Sequence, residues 1–173
     1  MGIMKIPKER VGVLIGKNGE VKESIEKKSG TKILIDSENG EVTIERGGAD
    51  TLTELKVINI VMAVGRGFSP ENAFKLFNDD FYFEIMNIKD YAKTQKHVIR
   101  LRARVIGSKG RTRSIIEELS GAKLSVYGST VSIIGDVEQV QIARKAVDML
   151  LSGSEHSVVY RYLERMRKEI NLF

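Results

Sequence analysis

One segment of this chain occurs twice. Shifted by 91 positions, Leu14–Ile35 falls on Val105–Val126 without a gap. The shift lays Ile15-Gly16 on Ile106-Gly107, Gly19 on Gly110, Ile25-Glu26 on Ile116-Glu117, Ser29-Gly30 on Ser120-Gly121 and Lys32 on Lys123. These coincidences keep two loop glycines, a helix-core position and a helix-ending Ser-Gly in register. An internal repeat limits architecture more than composition does, because each copy must be a folding unit of the same kind. The chain therefore reads as two copies of one domain.

Each copy runs from an apolar stretch into a Gly-x-x-Gly turn and out into an amphipathic helical pattern. The turns are Gly16-Lys17-Asn18-Gly19 and Gly107-Ser108-Lys109-Gly110. Glycines that lack a Cβ let a nucleic-acid backbone approach the polypeptide closely. The helix beyond begins at the turn, so its free N–H groups and positive dipole end are expected to face a phosphate.

Charge separates the copies. Residues 1–80 carry 12 basic and 13 acidic side chains, whereas residues 81–173 carry 16 and 10, so the net +5 comes from the second half. Lys96, Arg100, Arg102, Arg104, Lys109, Arg111 and Arg113 follow one another with no acid between them. Such a run flanking a phosphate-type turn points to a polyanion site. Glu20 and Glu23 follow the first turn, where the second has Arg111 and Arg113. An acid beside a helix N-terminus takes the place a phosphate would use, while arginine grips phosphate with two parallel hydrogen bonds. The second copy is therefore expected to supply most of the affinity.

Along the chain, Gly2–Ile6 reads as a strand ended by Pro7, and Lys8–Leu14 as a short helix. Glu20–Ser29 is the next helix, stopped by Gly30. Lys32–Asp36 and Glu41–Arg46 are strands joined by Ser37-Glu38-Asn39-Gly40, where Asn-Gly signals a hairpin. Asp50–Gly65 reads as a helix with Leu55, Ile58 and Met62 on one face and Ile60, Val61 and Val64 widening it, apolar enough to be covered on more than one side. Ser69-Pro70-Glu71 opens a short helix that turns Ala73, Leu76 and Phe77 inward. The second half repeats the order: strand Phe81–Ile88, helix Thr94–Val105, helix Arg111–Ser120, strands Ala122–Tyr127 and Thr130–Ile134, helix Asp136–Leu151. An extra helix, His156–Lys168, buries Val159, Leu163 and Met166, and its Arg161, Arg165 and Lys168 read as a solvated stripe. The expected domains are 1–78 and 79–173.

Several function classes are disfavoured. The chain has 173 residues, 42% hydrophobic and 29% charged, which suits a globular protein. It has no cysteine, which excludes disulfides and thiolate metal sites. No apolar run approaches the roughly 20 residues of a membrane span, so a cytoplasmic protein is expected. There is no P-loop lysine motif and no H-E-x-x-H. His97 and His156 have no readable nucleophile partner, and Asp79-Asp80 reads as a turn, so no enzyme, metal or cofactor is expected.

Strand–helix–GxxG–helix–strand–strand–helix, twice, resembles the eukaryotic-type KH domain, an RNA- and single-stranded-DNA-binding module. The resemblance implies an α+β fold of two tandem type I KH domains. Each would be a three-stranded sheet covered by three helices, the two packed together, with a C-terminal helix added. In KH domains the turn clamps about four nucleotides, whose bases lie in an apolar groove. Carried over to this chain, Gly12 and Ala103 are the small positions against which a base lies. Ile15 and Ile106 line the groove floor, and Ile33, Ile35, Leu124 and Val126 include its strand side. Lys22, Lys123, Arg100, Arg104 and the turn residues complete the implied contact set. Gly65–Ala73, the Asp-Asp-aromatic strand and Val126–Val131 narrow the resemblance to the two-KH assembly factors of the small ribosomal subunit, as an archaeal member. That family implies single-stranded RNA near the 3′ end of the small-subunit rRNA. As protein partners it implies an rRNA dimethylase, a Nob-type endonuclease or a translation initiation factor. A general single-stranded RNA-binding regulator and a protein-interaction scaffold are the alternatives.

Overall fold

The computed structural model describes residues 2–171, and the chain divides into two compact units between Asp79 and Asp80. The first unit contains β1 (Gly2–Lys5), α1 (Lys8–Ile15), α2 (Glu20–Ser29), β2 (Lys32–Asp36), β3 (Glu41–Glu45), α3 (Thr51–Gly65) and α4 (Pro70–Ala73). Its antiparallel sheet has the order β1-β3-β2, with Ile44 facing Gly2 on one side and Ile33 on the other. Alternation puts Ile33, Val42 and Ile44 on the helix-covered face, all fully buried with Leu14 and Ile25. On the opposite face Ile3 and Leu34 flank Thr43 and stay exposed.

Local chemistry sets the ends of these elements. The Asp50 carboxylate accepts the Thr53 N–H at 2.8 Å and starts α3, and Ser69 with Pro70 starts α4. The β2–β3 connection is the four-residue turn Ser37-Glu38-Asn39-Gly40 and closes the expected hairpin. Asp36 accepts from the N–H groups of Glu38 and Asn39 at 3.0 and 3.3 Å, so the aspartate organises the turn. Gly40 alone takes a left-handed φ there, +72°, and a Cβ on it would collide with the Ile6 carbonyl oxygen.

The covered face of α3 keeps the Ile60, Val61 and Val64 part of the expected apolar surface and leaves out Leu55. Leu55 is 52% exposed, and the buried stripe is Val57, Ile60, Val61 and Val64. The helix is packed by α1 and by the 3₁₀ turn Phe74–Phe77, and these select a face rotated from the Leu55–Ile58–Met62 line. Ala73 and Leu76 are buried as expected, while Phe77 is half-buried. Lys28 lies 5.0 and 5.6 Å from the Phe74 and Phe77 ring centres.

The second unit repeats the plan: β4 (Tyr82–Asn87), α5 (Gln95–Ile106), α6 (Arg111–Ser120), β5 (Lys123–Tyr127), β6 (Thr130–Gly135), α7 (Val137–Leu151). The sheet order is β4-β6-β5, antiparallel throughout. Thr94 caps α5, and Asp136 and Gln139 form a reciprocal capping box on α7 with both bonds at 2.9 Å. Val98, Leu101, Val105, Ile116, Val131, Ile133, Val147 and Leu150 build the core. α8 (His156–Asn171) runs three residues past its expected end and seats Val159, Tyr162 and Leu163 against α6 and α7. Met166 is only partly covered.

Candidate nucleic-acid interface

The two Gly-x-x-Gly turns have the same backbone. Gly107, Lys109 and Gly110 have φ of +75°, +54° and +74°, against +78°, +55° and +78° at Gly16, Asn18 and Gly19. The two glycines of each turn are needed for different reasons. A Cβ on Gly107 would stand 2.7 Å from the Thr112 backbone nitrogen, and one on Gly16 would stand 2.7 Å from that of Val21. Cβ atoms on Gly110 or Gly19 would meet nothing within 4 Å. The first glycine is dictated by the fold. The second faces open space, where a nucleic-acid backbone would come closest.

The turn spends some of the donors expected to be free. Gly110 N–H bonds the Gly107 carbonyl at 3.1 Å, and Arg111 N–H bonds that of Ser108, closing a 3₁₀ turn. Gly19 and Glu20 do the same in the first unit. Attraction of a phosphate to the second turn would therefore rest on its side chains. Ser108, Lys109 and Arg111 are exposed, as are Lys17 and Asn18 on the first turn. Gly12 and Ala103 are exposed small positions, and Ile15 and Ile106 are half-buried beside them. Of the four strand residues expected along the groove, Ile33 and Leu124 are core, because alternation points them under the helices. Ile35 and Val126 are half-buried, as is Lys123.

Some predicted contact residues hold the fold together. Arg104 Nε donates to the Leu150 carbonyl at 3.1 Å, and its Nη2 donates to that of Ser154. Arg10 does the equivalent in the first unit, reaching the Val64 and Phe68 carbonyls at 2.8 and 2.7 Å. Each guanidinium satisfies carbonyls left over where a long helix ends, at its negative pole. Arg104 is thus directed into the fold, and Arg100 remains exposed on α5. Arg113 Nη1 bonds Glu117 Oε1 at 2.8 Å, while Lys22 reaches Glu26 at 3.5 Å. Sequence reasoning missed the arginine struts, because an arginine in a basic run carries no mark of the carbonyls it will meet.

The flanks differ in sign. Beside the first turn, Glu20, Glu23, Lys27 and Lys28 of α2 line a shallow depression. Lys27, 2.9 Å from Glu23, holds that carboxyl below the usual glutamate range, so its negative charge persists. Beside the second turn, a groove of about 480 Å³ has Arg100, Arg104 and Arg111 on its walls and no acid among its described lining residues. Asp79 is paired with Lys56, and the His156 ring bonds the Arg104 carbonyl at 3.0 Å. Among the described residues no group of three metal-ligating side chains converges, and no helix is long and apolar enough to cross a membrane.

Comparison with known proteins agrees with this geometry. Residues 82–168 match a model described as eukaryotic type KH-domain (KH-domain type I), and residues 2–53 match one described as KH domain. The KH domain-containing protein MJ0443 of Methanocaldococcus jannaschii is 51% identical over 97% of this chain and 74% of its own length. The pre-rRNA-processing protein PNO1 of Phaeosphaeria nodorum is 30% identical over 75% of this chain, which spans only half of that protein. The crystal structure of Dim2p from Pyrococcus horikoshii has a TM-score of 0.89 at 54% identity, covering 95% of this chain and 98% of that one. A structure described as an a/eIF2alpha–aDim2p–rRNA complex from the same organism has a TM-score of 0.90 at 53% identity, covering 97% and 94%. The chain belongs to the type I KH family, in the two-KH group that includes archaeal Dim2p and the PNO1 proteins.

Proposed function

We propose that this protein binds single-stranded RNA through its Gly-x-x-Gly turns during small-subunit ribosome assembly, at the 3′ end region of the small-subunit rRNA. The observation that carries the reading is the contrast between two turns of equal backbone and opposite surroundings. The second presents Lys109, Arg111 and Arg100 around Gly110, while the first is bordered by Glu20 and Glu23. Phosphate is drawn to the second turn by charge, and the open side of Gly110 lets it approach the main chain. Ala103 and Ile106 then give a base an apolar surface. Similarity to an archaeal protein whose structure includes rRNA and a translation-factor subunit supports rRNA as ligand and such a subunit as protein partner. A dimethylase and a Nob-type endonuclease follow from the family resemblance alone. The protein acts here as a binding module with no catalytic step.

The test is binding of a labelled small-subunit rRNA 3′-end oligonucleotide and a scrambled one, each at two salt concentrations. Preference for the rRNA end, lost in Gly110→Asp and largely kept in Gly19→Asp, is the expected result. Equal binding of both sequences would make the protein a general single-strand binder. Equal losses from the two glycine substitutions would remove the asymmetry.

A further inference from the structure

The second turn has two flanks. One is the apolar side of Ile106, leading to β5. The other is the groove toward α8, an element that the first unit lacks and that lies outside the repeat. This groove is built rigidly. His156 Nε2 lies 3.0 Å from the Arg104 carbonyl, which can only accept, so Nε2 carries the proton. The Tyr160 hydroxyl lies 2.9 Å from Oγ1 of Thr112, a residue only 2% exposed, packed beneath Gly107. The His156 and Tyr160 rings meet edge to face at 6.1 Å.

Two exposed guanidiniums, Arg100 and Arg111, stand over this floor with the Ser108 hydroxyl. Under the repeat shift, Arg100 corresponds to Glu9 and Arg111 to Glu20, so both cations replace carboxylates of the first unit. The volume falls within the roughly 300–1,000 Å³ of small-ligand sites. Its lining of cations, hydroxyls and aromatic edges suits one nucleotide with its phosphate.

We infer that the α8 flank is an additional nucleotide subsite, which holds the phosphodiester and base immediately outside the stretch clamped by the turn. Arg100 and Arg111 grip the phosphate, and the His156–Tyr160 pair backs the sugar and base. The subsite rests on the RNA-binding reading above and extends the footprint beyond the approximately four nucleotides of one KH groove.

Nested fragments of the small-subunit rRNA 3′ end, four to eight nucleotides long, test it with the full chain. Extension past the clamped stretch is expected to raise affinity about tenfold, the scale of one charged hydrogen-bonded contact. Arg100→Glu, at an exposed position, should cancel that gain and reduce the log–log salt slope by about one. A photoreactive 4-thiouridine just outside the clamped stretch should attach to the peptide containing His156 and Tyr160. Absence of a length gain in the unmodified protein, a gain retained in Arg100→Glu, or attachment elsewhere would overturn the subsite while leaving the clamp intact. Failure of every fragment to bind would overturn the RNA-binding reading itself, and the subsite with it.

Discussion

The Glu117 carboxylate accepts the backbone N–H of Leu124 at 3.0 Å, clamping α6 to the start of β5. Glu26 does the same to Ile33 at 2.9 Å in the first unit. The other oxygen of each carboxylate meets the basic residue one turn earlier, Arg113 or Lys22. The matching Ile-Glu of the repeat is therefore a brace between helix and strand. Glu117→Ala leaves the Leu124 N–H without its acceptor and should cost about 1–3 kcal/mol. Glu117→Gln keeps an amide oxygen for that N–H and should cost less. Urea unfolding of both variants checks the order.

The glycines of the second turn should separate folding from binding. Gly107→Ala brings a Cβ against Thr112 and should lower the melting temperature clearly. Gly110→Ala meets only the left-handed backbone penalty of about 1–2 kcal/mol. Thermal melts and RNA binding, measured on the same samples, should show Gly110→Asp losing RNA while still folded.

Arg104 and Arg100 stand one turn apart on α5 but should behave differently. Arg104→Met removes bonds to the Leu150 and Ser154 carbonyls, and at about 1.5–3 kcal/mol for hydrogen bonds from a charged group it should destabilise the second unit. Arg100→Met, at an exposed position, should leave stability within about 0.5 kcal/mol. Denaturant midpoints of the two variants decide this.

Tyr91 gives a pH signature. Its hydroxyl donates to Asp148 at 2.5 Å, and this bond, with burial and the Asp148 charge, pushes its pKa up to about 12. A group held protonated in the fold favours folding below its unfolded value, about 10 for tyrosine. That contribution is lost as pH rises from there toward the folded value. Tyr91→Phe should therefore be less stable than the natural protein near neutrality, with the difference shrinking at high pH. Spectrophotometric titration should also lose its latest tyrosine step.

Charge transplanted into the first unit should create affinity. Glu20→Arg supplies the residue that its counterpart Arg111 supplies in the second unit, on a turn of the same backbone. RNA binding should strengthen, and the salt slope should steepen by about 0.7–0.9 for one further phosphate contact. Titrations at three ionic strengths measure both.

Much of this architecture was legible because the repeat carries its own punctuation. Gly16, Gly19, Gly30 and their counterparts mark turns and helix ends that few other residues tolerate, so the order of elements followed from them. The burial of Val98, Leu101 and Val105 followed from their i, i+3, i+7 spacing on one side of α5, with Arg100 and Arg104 on another. α3 misled only at Leu55, because it is apolar almost all round and the limits of its buried face depend on neighbours distant in sequence. Arg104 misled for a related reason. Its charge is local information, but the carbonyls that take its guanidinium belong to the end of α7, some 50 residues later. The α8 flank was invisible because no pattern says against which helix an appended helix will lie.

Lys109 occupies a left-handed backbone position, φ +54°, where the first unit has Asn18. Asparagine is among the few non-glycine residues enriched there, and lysine is not. Selection for stability alone would drift that site toward asparagine or glycine, and a stability-guided engineer would make the same change. Either would discard a cation from the tip of the second turn. A thermostabilised version of this protein would then be a better-folded molecule stripped of a cation on which the proposed RNA contact depends.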